Sequence, residues 1–201
     1  MRWLFAGPLA ILAGVCVGLI ARQSGATQAF FAENGPVETL QALILAIVAA
    51  AFFLAFLRSS DSRALFCITG ATAAAIAMTR EVPRCGSTFF DGGVCMTGDG
   101  KTVAVSLALS AGATALWFAP IAWRRAIAIR NIAWVWPVAV VVVMLALADI
   151  AEAKVYMEIE EALELTAYAY LSTFGVWVLF HTRKLRPATL SERRGCRWPA
   201  E

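Results

Sequence analysis

Long apolar blocks alternate with short polar segments along the whole chain. The blocks are about as long as a helix needs to cross the hydrocarbon core of a bilayer, which takes roughly 20 residues. They predict an all-α, polytopic transmembrane helical bundle. Its six spans are expected at Trp3–Ala21, Val37–Leu57, Ala64–Thr79, Val103–Trp123, Ile132–Asp149 and Glu161–Phe180. The third is the shortest of the six and is rich in alanine and threonine.

Composition supports the membrane assignment. The 201 residues are 60% hydrophobic and 15% charged, with a mean hydropathy of +0.71, so a small soluble core would not hide their apolar surface. The sequence shows no internal repeat and no segment long enough for a soluble domain. It predicts one transmembrane domain over residues 1–181 and a basic cytoplasmic tail over residues 182–201.

The basic residues divide unequally between the two sides of the predicted bundle. Twelve of the seventeen lysines and arginines fall at the termini and in the second and fourth loops, and five fall on the other side. Because positive loops stay in the cytoplasm, both termini are expected there, in the inner membrane of a bacterium. The tail is then expected to lie against anionic headgroups, and the basic charge gives no reason to expect nucleic-acid binding.

The first span has two interpretations. Arg2 precedes an apolar run, as in a signal peptide, but the run exceeds the usual signal core of about 7–15 residues, which favours an uncleaved helix. Ala10, Gly14 and Gly18 recur every four residues and predict a close helix contact. Packing inside this bundle explains that spacing more simply than a homodimer does.

Two cysteines share the segment after the third span. Cys85 and Cys95 are both expected on the oxidising, periplasmic side, where a disulfide between them should form. A metal site with two thiolates is the alternative, but no nearby histidine or second cysteine pair completes it.

Eleven of the fourteen carboxylates fall on the predicted periplasmic side. Glu38, Glu160 and Glu161 are expected at helix starts, where free backbone N–H groups and the helix dipole favour an anion. Glu81 and Asp149 are instead expected at helix ends, where the dipole disfavours them, so each should have a basic partner or a bound cation. Glu164 lies one turn deeper than capping explains.

Four of these acids are expected to converge, because the ends of their helices lie at the same level of the membrane. Glu38, Glu81, Glu161 and Glu164 would not all ionise there without compensation, so bound protons or a divalent cation with oxygen ligands are expected. Arg80, Glu33, Asp149 and Glu152 are the expected charged neighbours. The only histidine, His181, is at the opposite end, and the sequence carries no haem, nucleotide or zinc signature.

Three short motifs together resemble a pattern in uncharacterised bacterial multipass inner-membrane proteins. They are Glu33-x-Gly35-x-x-Glu38 at the start of one span, Arg80-Glu81 at the end of another, and Glu160-Glu161-x-x-Glu164-Leu165 at the start of a third. The resemblance implies that these acids act as a set, and it implies no particular activity.

Three kinds of function remain open from the sequence. The first is cation binding or small-solute transport through an acidic outer vestibule, although no charge lies in the middle of a span, where coupled transporters place their sites. The second is an accessory or assembly subunit with a membrane-protein partner or a second copy of the chain. The third is a metal-dependent enzyme acting at the periplasmic leaflet, for which the usual histidine base and nucleophile elbow are absent.

Overall fold

The described part of the protein is entirely helical. The structure is a computed structural model that describes residues 6–24, 36–86, 93–119 and 121–181. Glu33 and the basic tail from residue 182 lie outside these residues, so the predictions for them stay predictions.

Six of the described helices are long and apolar enough to span a membrane, which confirms the predicted fold class and makes the chain a multipass membrane protein in contact with lipid. Two single-turn helices at Trp123–Ala126 and Ile129–Ile132 and a 3₁₀ turn at Ala133–Val135 precede the fifth spanning helix. The helices are α1 Ala6–Ser24, α2 Pro36–Phe56, α3 Asp61–Glu81, α4 Gly98–Phe118, α5 Trp123–Ala126, α6 Ile129–Ile132, α7 Trp136–Ala153 and α8 Met157–His181.

The observed ends differ from the predicted ones where capping outweighs hydropathy. Helix α4 begins five residues earlier than predicted, because the Thr97 hydroxyl accepts a hydrogen bond from the Gly100 N–H at 3.0 Å and caps the helix. Helix α3 continues to Glu81 and ends two residues before Pro83, where extended backbone is favoured. Helix α8 starts at Met157 rather than Glu161, so Glu161 lies in its second turn and not at its start.

Helix α8 is the centre of the bundle. It packs against α1, α2 and α7, while α3 packs on α2 and α4 packs on α3. The buried share of each span follows this arrangement, with 44% of the α8 span buried and only 6% of the α4 span. Residues on α8 can therefore meet residues from several helices, and α4 is peripheral.

The two ends of the bundle differ in chemistry. At one end Phe52, Phe66, Trp134 and Phe174 form an aromatic cluster, with ring centroids 5.0 Å apart for Phe66 and Trp134. Helix contacts show that α1 and α3 run antiparallel to α8, whereas α2 runs parallel to it. The first residue of α1 and the last residue of α8 therefore lie at this aromatic end, and the acidic residues gather at the other end.

Glycines let α1 approach α8 closely. A Cβ atom at Gly18 would lie 2.6 Å from the Cα of Ile159, and one at Gly14 would lie 3.0 Å from the Thr166 hydroxyl oxygen. Ala10 lies further along the same helix, beside the small core cluster that includes Tyr170 and Val141. In this structure the small-residue spacing of α1 thus serves contact within the bundle.

Candidate functional site

A set of polar side chains lies at the end of the bundle where α2, α4 and α8 begin and α3 ends. We call it the polar cluster and define it as Glu38, Gln41, Arg80, Glu81, Lys101, Glu160, Glu161, Glu164 and Tyr168. The helix directions place it there, since the N-termini of the parallel helices α2 and α8 meet the C-terminus of the antiparallel α3. Within it Gln41, Glu81, Glu164 and Tyr168 are buried.

Glu164 and Arg80 form an ion pair that ties α8 to α3. The Arg80 Nη2 donates to Glu164 Oε1 at 2.9 Å. The Glu164 side chain is 4% exposed and that of Arg80 is 57% exposed, so an arginine on the outside of the bundle places its charge against a buried carboxylate. A buried carboxylate requires such a partner, which explains why Glu164 is tolerated seven residues after the start of α8.

Glu81 accepts a hydrogen bond from a hydroxyl group, a partner that was not predicted beside the expected basic residue or bound cation. The Tyr168 hydroxyl donates to Glu81 Oε1 at 3.0 Å, and both residues are buried. Arg80, Lys101 and Glu38 lie within electrostatic range of the Glu81 carboxylate. The contact joins Glu81, the last residue of α3, to Tyr168, which lies about one helical turn after Glu164 on α8.

Gln41 makes the corresponding contact between α2 and α8. Its Nε2 donates to Glu161 Oε2 at 2.8 Å and to the Glu161 backbone carbonyl at 3.3 Å. The side chain is fully buried, and its Oε1 has no hydrogen-bond partner among the described residues. Most buried polar atoms have a partner, so this oxygen is unusual.

The remaining members surround these three contacts. Lys101, from the first turn of α4, donates to the backbone carbonyl of Arg80 at 3.2 Å. Glu38 and Glu160 are half-buried, and both act electrostatically on Glu161. Glu38, Lys101 and Glu160 lie in the first turns of α2, α4 and α8, at the edge of the cluster.

The four acids predicted to converge are close enough to interact, but they do not form a metal cage. No group of three or more histidine, cysteine, aspartate or glutamate side chains that could hold a metal ion occurs within the described ranges. Glu81, Glu161 and Glu164 instead each accept a hydrogen bond from a different side chain. Asp149 and Glu152 are exposed on α7; both act electrostatically on Glu160, and Asp149 also acts on Arg80.

Sequence reasoning missed Gln41 and gave Lys101 no role beyond its charge. Gln41 lies three residues after Glu38, on the same side of α2, and it is a lone amide inside an otherwise apolar run. That isolation was a usable signal, because a polar group in a membrane span is costly unless it is bonded.

The segment between α3 and α4 is covalently closed beside the cluster. A disulfide joins Cys85 to Cys95, as predicted, with their Cα atoms 5.0 Å apart. The Cys85 N–H donates to the Met96 carbonyl at 3.1 Å, and the Met96 N–H donates to the Pro83 carbonyl at 2.9 Å. These bonds fix how the chain leaves Glu81 and enters α4.

No family model, curated protein or solved structure matches this chain.

Proposed function

We propose that this multipass membrane protein binds a cation at the polar cluster, in support of small-solute or ion handling at one face of the membrane. The observation that carries the proposal is the balance of charge. Five carboxylates, namely those of Glu38, Glu81, Glu160, Glu161 and Glu164, outnumber three basic side chains, those of Arg80, Lys101 and Arg84, the last of which acts electrostatically on Lys101.

The surroundings make this imbalance costly. Glu81 and Glu164 are buried, and Glu161 is partly covered by α2. Carboxylates in a poorly solvated site repel one another, so a bound positive charge would stabilise the folded protein. Bound protons would offer similar relief, and they are distinguished from a cation by their dependence on pH.

We place the polar cluster on the periplasmic face of a bacterial inner membrane. Two features support this orientation: the excess of basic residues that the sequence has in its terminal segments and in its second and fourth loops, and the Cys85–Cys95 disulfide beside the cluster. Both termini would then be cytoplasmic, and the site would face solutes outside the cell.

The test is thermal unfolding of the purified full chain in detergent, followed by tryptophan fluorescence. Chlorides of sodium, potassium, ammonium, magnesium and calcium are titrated at constant ionic strength, with tetramethylammonium chloride as the balancing salt. At least one cation should raise the Tm with saturation, by the equivalent of about 2.7 kcal/mol at one hundred times its Kd.

Two variants make the result specific to the cluster. Glu161→Gln should remove the cation-dependent rise in Tm, whereas Asp149→Asn, at an exposed site on α7, should keep it. If no cation raises the Tm of the wild type, or if Asp149→Asn loses the effect as fully as Glu161→Gln, the proposal is wrong.

The exposed surface of α4 favours a second candidate function, that of an assembly subunit in a membrane complex. Thr102, Ser106, Ser110 and Thr114 are exposed and recur every four residues along this helix. Small hydroxyl side chains suit contact with another transmembrane helix better than contact with lipid. The partner would be such a helix, from another protein or from a second copy.

Site-specific crosslinking in native membranes tests this candidate. A photoreactive probe attached at Ser110→Cys should give a discrete protein adduct, and the same probe at Val142→Cys, on the exposed face of α7, should not. Equal labelling of lipid alone from both positions would count against an assembly role.

A further inference from the structure

Gln41 carries a buried oxygen that lacks a hydrogen-bond donor. Its Oε1 has no partner among the described residues, although the side chain is fully buried. The orientation of the amide follows from its neighbours, because Nε2 faces Glu161 Oε2 and the Glu161 carbonyl oxygen, which are both acceptors. Turning the amide over would bring Oε1 against those two oxygens, so the carbonyl side is the side without a partner.

None of the other donor side chains of the cluster bonds to that oxygen. Arg80 donates to Glu164, Tyr168 donates to Glu81, and Lys101 donates to the Arg80 carbonyl. The hydrogen bonds that these side chains make in the structure thus go to other acceptors. A group that completes the site therefore needs hydrogen-bond donors of its own.

It also has to bring positive charge. Gln41 Oε1 belongs to the same amide group as the Nε2 that contacts Glu161, so it lies close to that carboxylate. Glu161 in turn interacts electrostatically with three further carboxylates, those of Glu38, Glu160 and Glu81. A water molecule would satisfy the amide oxygen but would leave the excess of carboxylates unchanged. A cation with N–H donors would satisfy both requirements.

A metal ion fits this arrangement less well than an ammonium group does. Metals such as Mg²⁺ and Ca²⁺ need several oxygens that converge to about 2.0–2.6 Å, and the described residues offer no such group of carboxylates. An ammonium group donates three hydrogen bonds at about 2.8–3.0 Å, so its acceptors can lie further apart and on different helices.

We infer that the polar cluster recognises a primary ammonium group, and that Gln41 selects it by accepting a hydrogen bond through Oε1. This inference rests on the proposed cation site and names the class of ligand that the site takes. The carboxylate of Glu161 supplies the charge, and Gln41 supplies the preference for a cation that donates hydrogen bonds.

The experiment compares ethylammonium with tetramethylammonium, which has the same charge and no N–H group, on the full chain in detergent. Thermal unfolding titrations give an apparent Kd for each. Ethylammonium should raise the Tm with saturation and tetramethylammonium should not. Gln41→Leu should weaken the apparent affinity for ethylammonium about tenfold, the effect expected from one lost hydrogen bond to a charged group.

Two further measurements guard against misfolding. Gln23→Leu changes an exposed glutamine near the same end of the bundle and should leave the affinity unchanged within about twofold, as expected for a surface substitution. The unfolding transition of Gln41→Leu without ligand should stay cooperative, which shows that the variant folds. Equal stabilisation by both ammonium ions, or unaltered affinity in a folded Gln41→Leu, would overturn the inference.

The results also separate the two proposals. If sodium, magnesium or calcium stabilises the wild type through Glu161 while ethylammonium does not, the cation site stands and the ammonium inference fails. If no cation of either kind stabilises the protein, both fail.

Discussion

The burial of the Glu164 carboxylate depends on its ion pair with Arg80, and substituting Arg80 measures this dependence. In Arg80→Ala the carboxylate, which is 4% exposed, loses its cationic partner. Breaking a fully buried pair costs about 3–5 kcal/mol, and because the Arg80 side chain is 57% exposed we expect about 2 kcal/mol here. Reversible unfolding in mixed micelles measures the loss.

A double-mutant cycle shows whether the loss belongs to the pair. Glu164→Gln removes the buried charge, so the double variant Arg80→Ala with Glu164→Gln should be more stable than Arg80→Ala alone. If the two single losses simply add, Arg80 does not stabilise the protein through Glu164.

Tyr168 should matter through a single oxygen atom. Its hydroxyl donates to the buried Glu81, so Tyr168→Phe leaves that carboxylate without the bond and should cost about 1–3 kcal/mol. Tyr156→Phe is the matched control, because that ring is exposed and keeps its contact with the Arg22 guanidinium, 4.2 Å from its centroid. Equal stability of the two variants in the same unfolding assay would contradict a role for the hydroxyl.

At the scale of helices, the contact between α1 and α8 depends on the absence of side chains. Gly18→Ala would place a methyl group 2.6 Å from the Ile159 Cα, so the helices must separate, at an expected cost of about 1–3 kcal/mol. Gly98→Ala, at the first residue of α4, meets no atom within 4 Å and should change stability by less than about 0.5 kcal/mol. If both substitutions are neutral in thermal unfolding, α1 does not pack on α8 as described.

The existence of the helices was predictable from the sequence, and their contacts were not. Six apolar blocks gave six spans, because a hydrocarbon environment leaves a chain few alternatives to long helices. Hydropathy is nearly uniform around such helices, so it does not reveal which face of α8 meets α3. The rotation of each helix about its own axis decides that Glu81 meets Tyr168 and that Gln41 meets Glu161. Because the sequence does not reveal that rotation, neither contact was predicted.

Helix ends were predictable only where local chemistry was read together with hydropathy. The start of α4 lies in a glycine-containing polar stretch that is less apolar than the rest of the helix, and Thr97 caps it. The charge pattern located the polar end, and the cysteine spacing predicted the disulfide correctly, because both depend on position along the chain and not on side-chain direction.

For the molecule as a whole, orientation in the membrane is the property on which the proposed function depends. Lys154 lies at the polar end and Arg58 at the aromatic end, and both are exposed. In a bacterial host, with the exposed Cys16 and the tail residue Cys196 replaced by serine, Lys154→Cys should react with a membrane-impermeant maleimide in intact cells. Arg58→Cys should react only after the membrane is opened, because the basic residues near it are retained in the cytoplasm.

The disulfide provides an independent check on the same orientation. If the polar end faces an oxidising compartment, Cys85 and Cys95 should resist alkylation until a reductant is added. This should hold for membrane-permeant and membrane-impermeant reagents alike. Reversed labelling of the two introduced cysteines, together with freely alkylated Cys85 and Cys95, would place the polar cluster in the cytoplasm. The carboxylates would then face a reducing compartment, and their ligand would have to be sought among cytoplasmic cations.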